Sequence, residues 1–224
     1  AMGWKTVNKV RTPLKATDFS SYIAPVLNSG ADVLVLNHYG GNMVNSLTNA
    51  VQFGLRDKIV NNKNFEIVVP LYSRLMAKGA GANVKGIFGS TNWHWSLQDE
   101  GSKAFVKSFG TKYGFPPSQA AHTVYCQTLL YADACNRAGT FNPCGVGEAL
   151  EGFEFDGLGN GKTLYRAEDH QCFKDVLVVK GKENPTSEFD LLEIVEVTPA
   201  AQVSYAPDHP MFAGGDLGAC NPGA

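Results

Sequence analysis

The chain has 224 residues, of which 44% are hydrophobic and 18% charged, as expected of a soluble globular protein. A formal charge of −2 and the lack of a Lys/Arg stripe exclude nucleic acid as an expected partner. No apolar run approaches the ~18 residues that a membrane-spanning helix requires. The first residues lack the apolar segment of a signal peptide. Ala1 before Met2 indicates a cloning remnant, so the sequence leaves the native start open.

Strands and helices alternate through about the first 90 residues, as in a parallel, doubly wound sheet. The predicted order is strand 7–14, helix 19–28 capped by Thr17 or Asp18 and kinked at Pro25, strand 33–36, helix 43–53, strand 65–71, helix 73–78 and strand 84–88. The run 33–36 is apolar throughout, which is typical of a buried parallel strand.

The pattern changes after Gly89. Residues 90–95 are polar and aromatic and predict a crossing segment or lid. They are followed by helices at 100–113, 118–138 and 145–150, by strands at 163–166, 172–180 and 189–197, and by a loop-rich tail from Ala206. The two long helices carry apolar side chains that few neighbouring strands can cover: Phe105, Val106, Phe109, Ala120, Val124, Leu129 and Leu130. We therefore expect these helices to belong on a sheet that this chain lacks.

The five cysteines show no CxxC or Cys/His spacing, which argues against a zinc site. Cys135 and Cys144 flank a Gly-Pro-containing loop and form one candidate disulfide, and Cys172 with Cys220 forms another. A buried free thiol is an equal alternative for each of them, and the odd number leaves at least one cysteine free.

A polar turn, Asn37-His38-Tyr39-Gly40-Gly41-Asn42, follows the apolar strand 33–36 and leads directly into a helix. In open α/β sheets, ligands bind where the carboxyl end of a strand meets the positive end of a helix. The glycines allow close approach of the backbone, and Asn42 is the predicted N-cap. The imidazole, phenol and amide groups suit an organic molecule, and His38 and Tyr39 are the stronger candidates. The alternative is a capped helix behind a solvated loop.

Tyr72 and Ser73 follow strand 65–71 and occupy the equivalent position one strand and one helix later. They are the second pair of candidate ligand-binding residues, although Ser73 could serve only as an N-cap. Trp93 and Trp95 could stack on a ligand, but we favour a place at the hinge.

No set of residues supports catalysis or a bound cofactor. Asp169 and His170 are neighbours, and adjacent side chains on a strand point to opposite faces. No GxSxG motif is present. The segment 157–163 imitates a phosphate-binding loop, but Asp156 stands where that motif requires glycine. His94, His122 and His209 share no metal-ligand spacing. The sequence predicts no enzyme, no metal site and no cofactor.

Four blocks, in order, resemble type I periplasmic solute-binding proteins of ABC transporters, in particular the receptors for branched-chain amino acids and amides. The blocks are TDFSSYIAPVLNSGADVLVL at 17–36, NMVNSLTNAVQFGL at 42–55, AFVKSFGTKYGFPPSQAAHTVYCQTLLYADACNRAGT at 104–140 and ALEGFEFDGLGNGKTLYRAEDHQ at 149–171. Together they cover most of residues 10–180, and this is the C-terminal portion of such a protein.

The resemblance implies two lobes joined by three crossings, with a ligand in the cleft between them. It implies that residues 1–88 form the α/β sheet of the second lobe. Residues 89–155 would form a hinge crossing and helices of an incomplete first lobe, and residues 156–224 would form hinge strands that return to the second lobe, with a loop-like tail. The expected fold class is therefore α/β, a doubly wound parallel sheet with an additional helical segment.

The resemblance places Asn37, His38, Tyr39 and Asn42 where the second lobe contacts ligand, and Asp169-His170-Gln171 in the hinge. It implies capture of a small solute and delivery to a membrane permease, in the periplasm or as a secreted protein. The alternatives are a ligand-sensing regulatory domain of the same fold and a doubly wound enzyme. We also expect the uncovered helical face to drive formation of a homodimer or domain exchange.

Overall fold

The computed structural model describes residues 3–210 and Cys220. The chain divides into two compact units, which are described separately below. The first comprises the chain up to Thr91 together with Val178–Glu196. The second comprises Asn92–Leu177 together with the chain from Val197 onward.

The first unit is built on a five-stranded sheet with the order β1-β4-β5-β9-β10. Its strands, numbered along the chain, are β1 (Val33–Val35), β4 (Glu66–Val69), β5 (Phe88–Thr91), β9 (Val176–Gly181) and β10 (Leu192–Thr198). β1 pairs with β4 in parallel, and β4 pairs with β5 in parallel. The expected α/β class with a parallel sheet is confirmed.

The α-helix α1 (Ser20–Ile23) precedes β1, α2 (Gly41–Gln52) lies between β1 and β4, and α3 (Arg74–Ala80) lies between β4 and β5. The predicted helix 19–28 changes after Ile23 into a 3₁₀ helix, Ala24–Asn28, with Pro25 near its start. The predicted cap at Thr17 or Asp18 is wrong, because the N-cap of α1 is Phe19; Asp18, one residue earlier, accepts a hydrogen bond from Ser20 N. The core between helices and sheet consists of fully buried apolar side chains, among them Phe19, Met43, Leu47, Ile67 and Val69.

Two strand predictions for this unit are wrong. Residues 7–14 form no strand, and their apolar side chains are exposed, with Leu14 at 90%. The apolar side chains of this mixed segment face no buried surface. The last predicted strand, 84–88, lies four residues too early. Val84 ends the 3₁₀ helix Gly81–Val84 and Gly86 has a positive φ, so the chain becomes extended only at Phe88.

The sequence prediction also missed a small hairpin, β2 (Ile59–Val60) with β3 (Lys63–Asn64). Asn61 and Asn62 form its turn, and both have positive φ. Asparagine tolerates this left-handed conformation, which two-residue hairpin turns require.

The second unit contains α4 (Glu100–Tyr113), α5 (Gln119–Ala138), α6 (Pro143–Leu150) and α7 (Ala200–Val203). The three larger helices were predicted to within two residues. Asp99 and Ser118 cap α4 and α5 by accepting backbone hydrogen bonds, and Gly114 and Gly139 end them in the left-handed region. A three-stranded antiparallel sheet accompanies the helices: β6 (Glu154–Phe155), β7 (Thr163–Tyr165) and β8 (Cys172–Phe173). The predicted strand 172–180 is therefore two strands, β8 and β9. The predicted tail from Ala206 is turn and loop as far as residue 210, and most of its remainder lies outside the described residues.

Neither predicted disulfide forms. Cys144 is bonded to Cys220, and Cys126, Cys135 and Cys172 are free thiols. Cys135 is buried in an apolar cluster with Ala134 and Val146. It is the buried free thiol that the sequence offered as the alternative, because its candidate partner Cys144 is bonded to Cys220.

Candidate functional site

Two turns of the first unit, one after β1 and one after β4, meet at one edge of its sheet. β1, β4 and β5 run parallel, so the residues that follow them lie at the same, carboxyl edge. Leu36 N donates to Val68 O at 2.9 Å, and Tyr72 N donates to Ser90 O at 2.8 Å, which ties each turn to the neighbouring strand. The predicted site residues 37–42 and 72–73 therefore share one edge, as ligand binding in an α/β sheet requires.

His38 has hydrogen-bond partners at both ring nitrogens. Nε2 lies 3.0 Å from Thr12 Oγ1, and Nδ1 lies 2.9 Å from Ser46 Oγ. The Ser46 hydroxyl donates to Met43 O at 3.2 Å, which assigns the Nδ1–H as donor to Ser46 and the Thr12 hydroxyl as donor to Nε2. Burial lowers the pKa of His38, which favours this neutral form. The imidazole thus fastens the N-terminal segment to α2.

Asn42 also holds the N-terminal segment: its side-chain amide donates to Leu14 O at 3.0 Å. The prediction that Asn42 caps α2 is wrong, because the helix begins at Gly41 and its N-cap is Gly40, with φ 59°. A left-handed N-cap suits glycine, which explains why this position carries it. The contacts of Thr12 and Leu14 with this turn were not predicted.

Tyr39 is the most accessible aromatic residue of the turn. Its side chain is 57% exposed, and Asn37 beside it is exposed as well. An exposed phenol at the carboxyl edge of a sheet can contact a ligand through both its ring and its hydroxyl.

Tyr72 and Ser73, by contrast, are buried. Ser73 is the N-cap of α3, and its oxygen accepts from Met76 N at 3.1 Å. Tyr72 is 1% exposed, and its hydroxyl has no hydrogen-bond partner among the described residues. Burial raises the pKa of Tyr72 well above its usual range, so the phenol is neutral. The Tyr72 side chain packs against Gly89 on β5, where an added Cβ would lie 2.7 Å from Tyr72 Cβ.

The second unit buries Trp93, which the sequence placed at the hinge. The Trp93 ring stacks on His122 with centroids 4.3 Å apart, and its Nε1–H donates to Ser102 Oγ at 2.9 Å. His122 Nε2 lies 2.6 Å from Leu158 O, so this nitrogen carries the proton. Trp93 therefore belongs to the core of this unit, and the packing of His122 against it was not predicted.

The glycine-rich segment 157–161 is a structural loop that leads into β7, as expected of a sequence that is not a phosphate-binding motif. Gly157, Gly159 and Gly161 all have positive φ. Gly101 faces the backbone of Gly157 and has no room for a side chain.

In the segment after β7, Arg166 donates from Nε to Asp169 Oδ1 at 2.9 Å, and His170 pairs with Glu151.

A cavity of about 320 Å³ lies near the amino ends of β4 and β5. Its lining includes Glu66, Phe88 and Lys180, and none of the predicted site residues contributes to it. Within residues 3–210 and Cys220, no group of three or more His, Cys, Asp or Glu side chains is placed to hold a metal ion. None of the helices in this part of the chain is long and apolar enough to cross a membrane.

A parallel sheet whose carboxyl edge carries polar and aromatic turns is typical of α/β proteins that bind ligands there. The sequence model of the periplasmic binding protein family matches residues 1–186, and the chain belongs to that family. No curated protein matches the chain.

Solved structures share the fold. A periplasmic binding protein from Burkholderia mallei has a TM-score of 0.78 and 25% identity over 91% of this chain and 52% of its own. A branched-chain amino acid ABC transporter periplasmic ligand-binding protein from Burkholderia xenovorans has a TM-score of 0.71 and 27% identity, over 88% of this chain and 51% of its own. A solute-binding protein of an ABC transporter from Rhodopseudomonas palustris was solved in complex with p-hydroxybenzoic acid. It has a TM-score of 0.75 and 19% identity, over 88% of this chain and 53% of its own. The chain spans about half the length of these proteins.

Proposed function

We propose that the protein is a solute-binding component of an ABC-type uptake transporter. It captures a small molecule, namely an amino acid, an amide or a small aromatic acid, and delivers it to the membrane permease. The observation that carries this proposal is the shared carboxyl edge, which brings Asn37–Tyr39 and Tyr72–Ser73 together in a member of the periplasmic binding protein family. Ligand binding shifts the population toward the form that the permease recognises.

The six predicted residues take different roles at this edge. Tyr39 and Asn37 are exposed and contact the ligand directly. His38 and Asn42 are bonded to Thr12 and Leu14, so they hold the turn in place and offer the ligand their remaining surface. Tyr72 and Ser73 form the buried floor.

The names of the solved relatives support the range of solutes. They include a branched-chain amino acid binding protein and a protein bound to p-hydroxybenzoic acid. We propose a periplasmic or secreted location and a role in binding without catalysis, on the strength of family membership.

A thermal-shift screen against amino acids, amides and aromatic carboxylates tests this function, followed by titration calorimetry on the best probe. A bound ligand raises the melting temperature in proportion to ln(1 + [L]/Kd). We expect a saturable rise for one class. Tyr39→Ala should abolish it, whereas Tyr113→Ala, at an exposed position of α4, should retain it. The absence of a saturable shift with every class would refute the function for this chain.

A further inference from the structure

The Tyr72 hydroxyl is a buried hydrogen-bond donor without an acceptor. The residue is 1% exposed, and no described atom accepts from its hydroxyl. Buried polar groups are almost always paired, because an unpaired one loses its hydrogen bonds to water without replacement. The exceptions call for a specific explanation, and one such explanation is a ligand.

The surroundings fix the tyrosine in place. Its backbone N–H donates to Ser90 O at 2.8 Å, and its side chain lies against Gly89 on the neighbouring strand. An added Cβ at Gly89 would lie 2.7 Å from both Cβ and Cδ1 of Tyr72, and closer still to Val69 O. Glycine at this position therefore makes room for the tyrosine, and its hydroxyl cannot move freely to find a partner.

The turns after β1 and β4, together with the end of β5, offer amide, imidazole, phenol and hydroxyl groups. Residues 36–42, 70–73 and 90–91 contain no aspartate or glutamate. This edge therefore offers a ligand neutral hydrogen-bond donors. It offers no carboxylate with which the ammonium group of a ligand could pair. The group best matched to a buried phenolic O–H is a charged acceptor, because hydrogen bonds to ionised groups are about twice as strong as neutral ones.

We infer that the Tyr72 hydroxyl donates to the carboxylate of the bound solute, and that the site selects organic acids over the corresponding amides. This inference rests on the proposed function and names the solute class of that same site. A buried donor discriminates strongly, since a ligand without a good acceptor leaves it unpaired.

Calorimetric titrations of the 224-residue chain test the inference with p-hydroxybenzoate, p-hydroxybenzamide and leucine. We expect the acid to bind most tightly. Tyr72→Phe should lower the affinity for the acid by about 10-fold and the affinity for the amide by less than about 3-fold. The reason is that the lost hydrogen bond is charge-assisted only with the acid. Tyr113→Phe removes an exposed hydroxyl and should leave all three affinities unchanged.

A second measurement needs no ligand. If the hydroxyl is unpaired in the free protein, Tyr72→Phe should raise the melting temperature while it weakens acid binding. A purely structural tyrosine would lower the melting temperature on this change, and that result would overturn the inference.

The outcomes separate the inference from the function. Tighter binding of leucine than of the acid, with Tyr72→Phe neutral for both, would overturn the inference and leave the proposed function standing. The failure of all three probes to bind would count against the inference and, with a negative wider screen, against the function.

Discussion

The rings of Trp93 and His122 lie parallel, with their centroids 4.3 Å apart and an angle of 4° between their planes. This stack places a histidine in the core of the second unit, where burial lowers the pKa of His122 to about 4. An imidazole in such a place stays neutral in the folded protein at pH values where the unfolded chain, with its usual pKa near 6.5, binds a proton.

Stability should therefore fall as the pH drops from about 6.5 to about 4, because only the unfolded chain takes up the proton in that window. We expect protonation of His122 in the unfolded chain to lower the free energy of unfolding by on the order of 1–3 kcal/mol. Urea titrations between pH 4 and 8 measure it. His122→Gln, which can still donate to Leu158 O, should flatten the profile, and His170→Gln, at an exposed position, should not. If the free energy of unfolding falls equally with pH in the wild type and both variants, His122 is not the group responsible.

Gly89→Ala should destabilise the first unit by about 1–3 kcal/mol, since the new methyl group meets Val69 O and Tyr72 Cβ in a packed sheet. Gly110→Ala is the matched control. It lies inside α4, where an added Cβ meets nothing within 4 Å, and alanine should stabilise the helix by about 0.5–1 kcal/mol. Opposite signs in chemical denaturation are expected, and two equal effects would show that Gly89 is not tightly packed.

The Cys144–Cys220 disulfide closes a loop with a sequence separation of 76 residues. Its removal by Cys220→Ser should cost about 2–4 kcal/mol, chiefly by freeing the unfolded chain. Cys172→Ser removes a free thiol and should leave the unfolding transition unchanged. Peptide mapping of the oxidised protein gives a direct check. A linked peptide containing Cys135 with Cys144, or Cys172 with Cys220, would disprove the pairing.

The exposed apolar side chains on α5 test the expected self-association, whereas Phe105 and Leu130, which were also expected to be uncovered, are buried. Val124 is 67% exposed and Leu129 is 43% exposed on α5. Light scattering at rising concentration should show a dimer, which Leu129→Glu should dissociate because a charge in an apolar interface is costly. Ala104→Glu adds the same charge at an exposed position of α4 and should not. A monodisperse monomer at every concentration would rule out the homodimer.

The long amphipathic elements were predictable from sequence because local signals agree there. Ser118 and Gly139 mark the ends of α5, and the structure uses both as caps. The candidate site was predicted at a strand end for the same reason, because an apolar run leads there into a polar turn. Its individual hydrogen bonds could not, since His38 meets Thr12 across 26 residues and no local pattern encodes that contact.

Other features lay beyond local patterns for physical reasons of their own. The Asn61–Asn62 turn follows only two residues of strand, too short a run for alternation to show. The partner of Cys144 depends on the path of a tail far along the chain. The orphan hydroxyl of Tyr72 is a property of packing, because the absence of an acceptor cannot be read from neighbouring residues.

Gly86 N donates to Gly181 O, and Gly181 N donates to Ile87 O, so residues made late in synthesis complete a sheet begun early. On a ribosome that adds about 5–20 residues per second, the separation between these partners takes on the order of ten seconds. Throughout that interval β5 presents an open edge, the kind of surface that recruits foreign strands. The nascent chain should therefore depend on chaperones until residues 178–196 emerge, and a pause in translation between residues 92 and 177 should promote aggregation rather than folding.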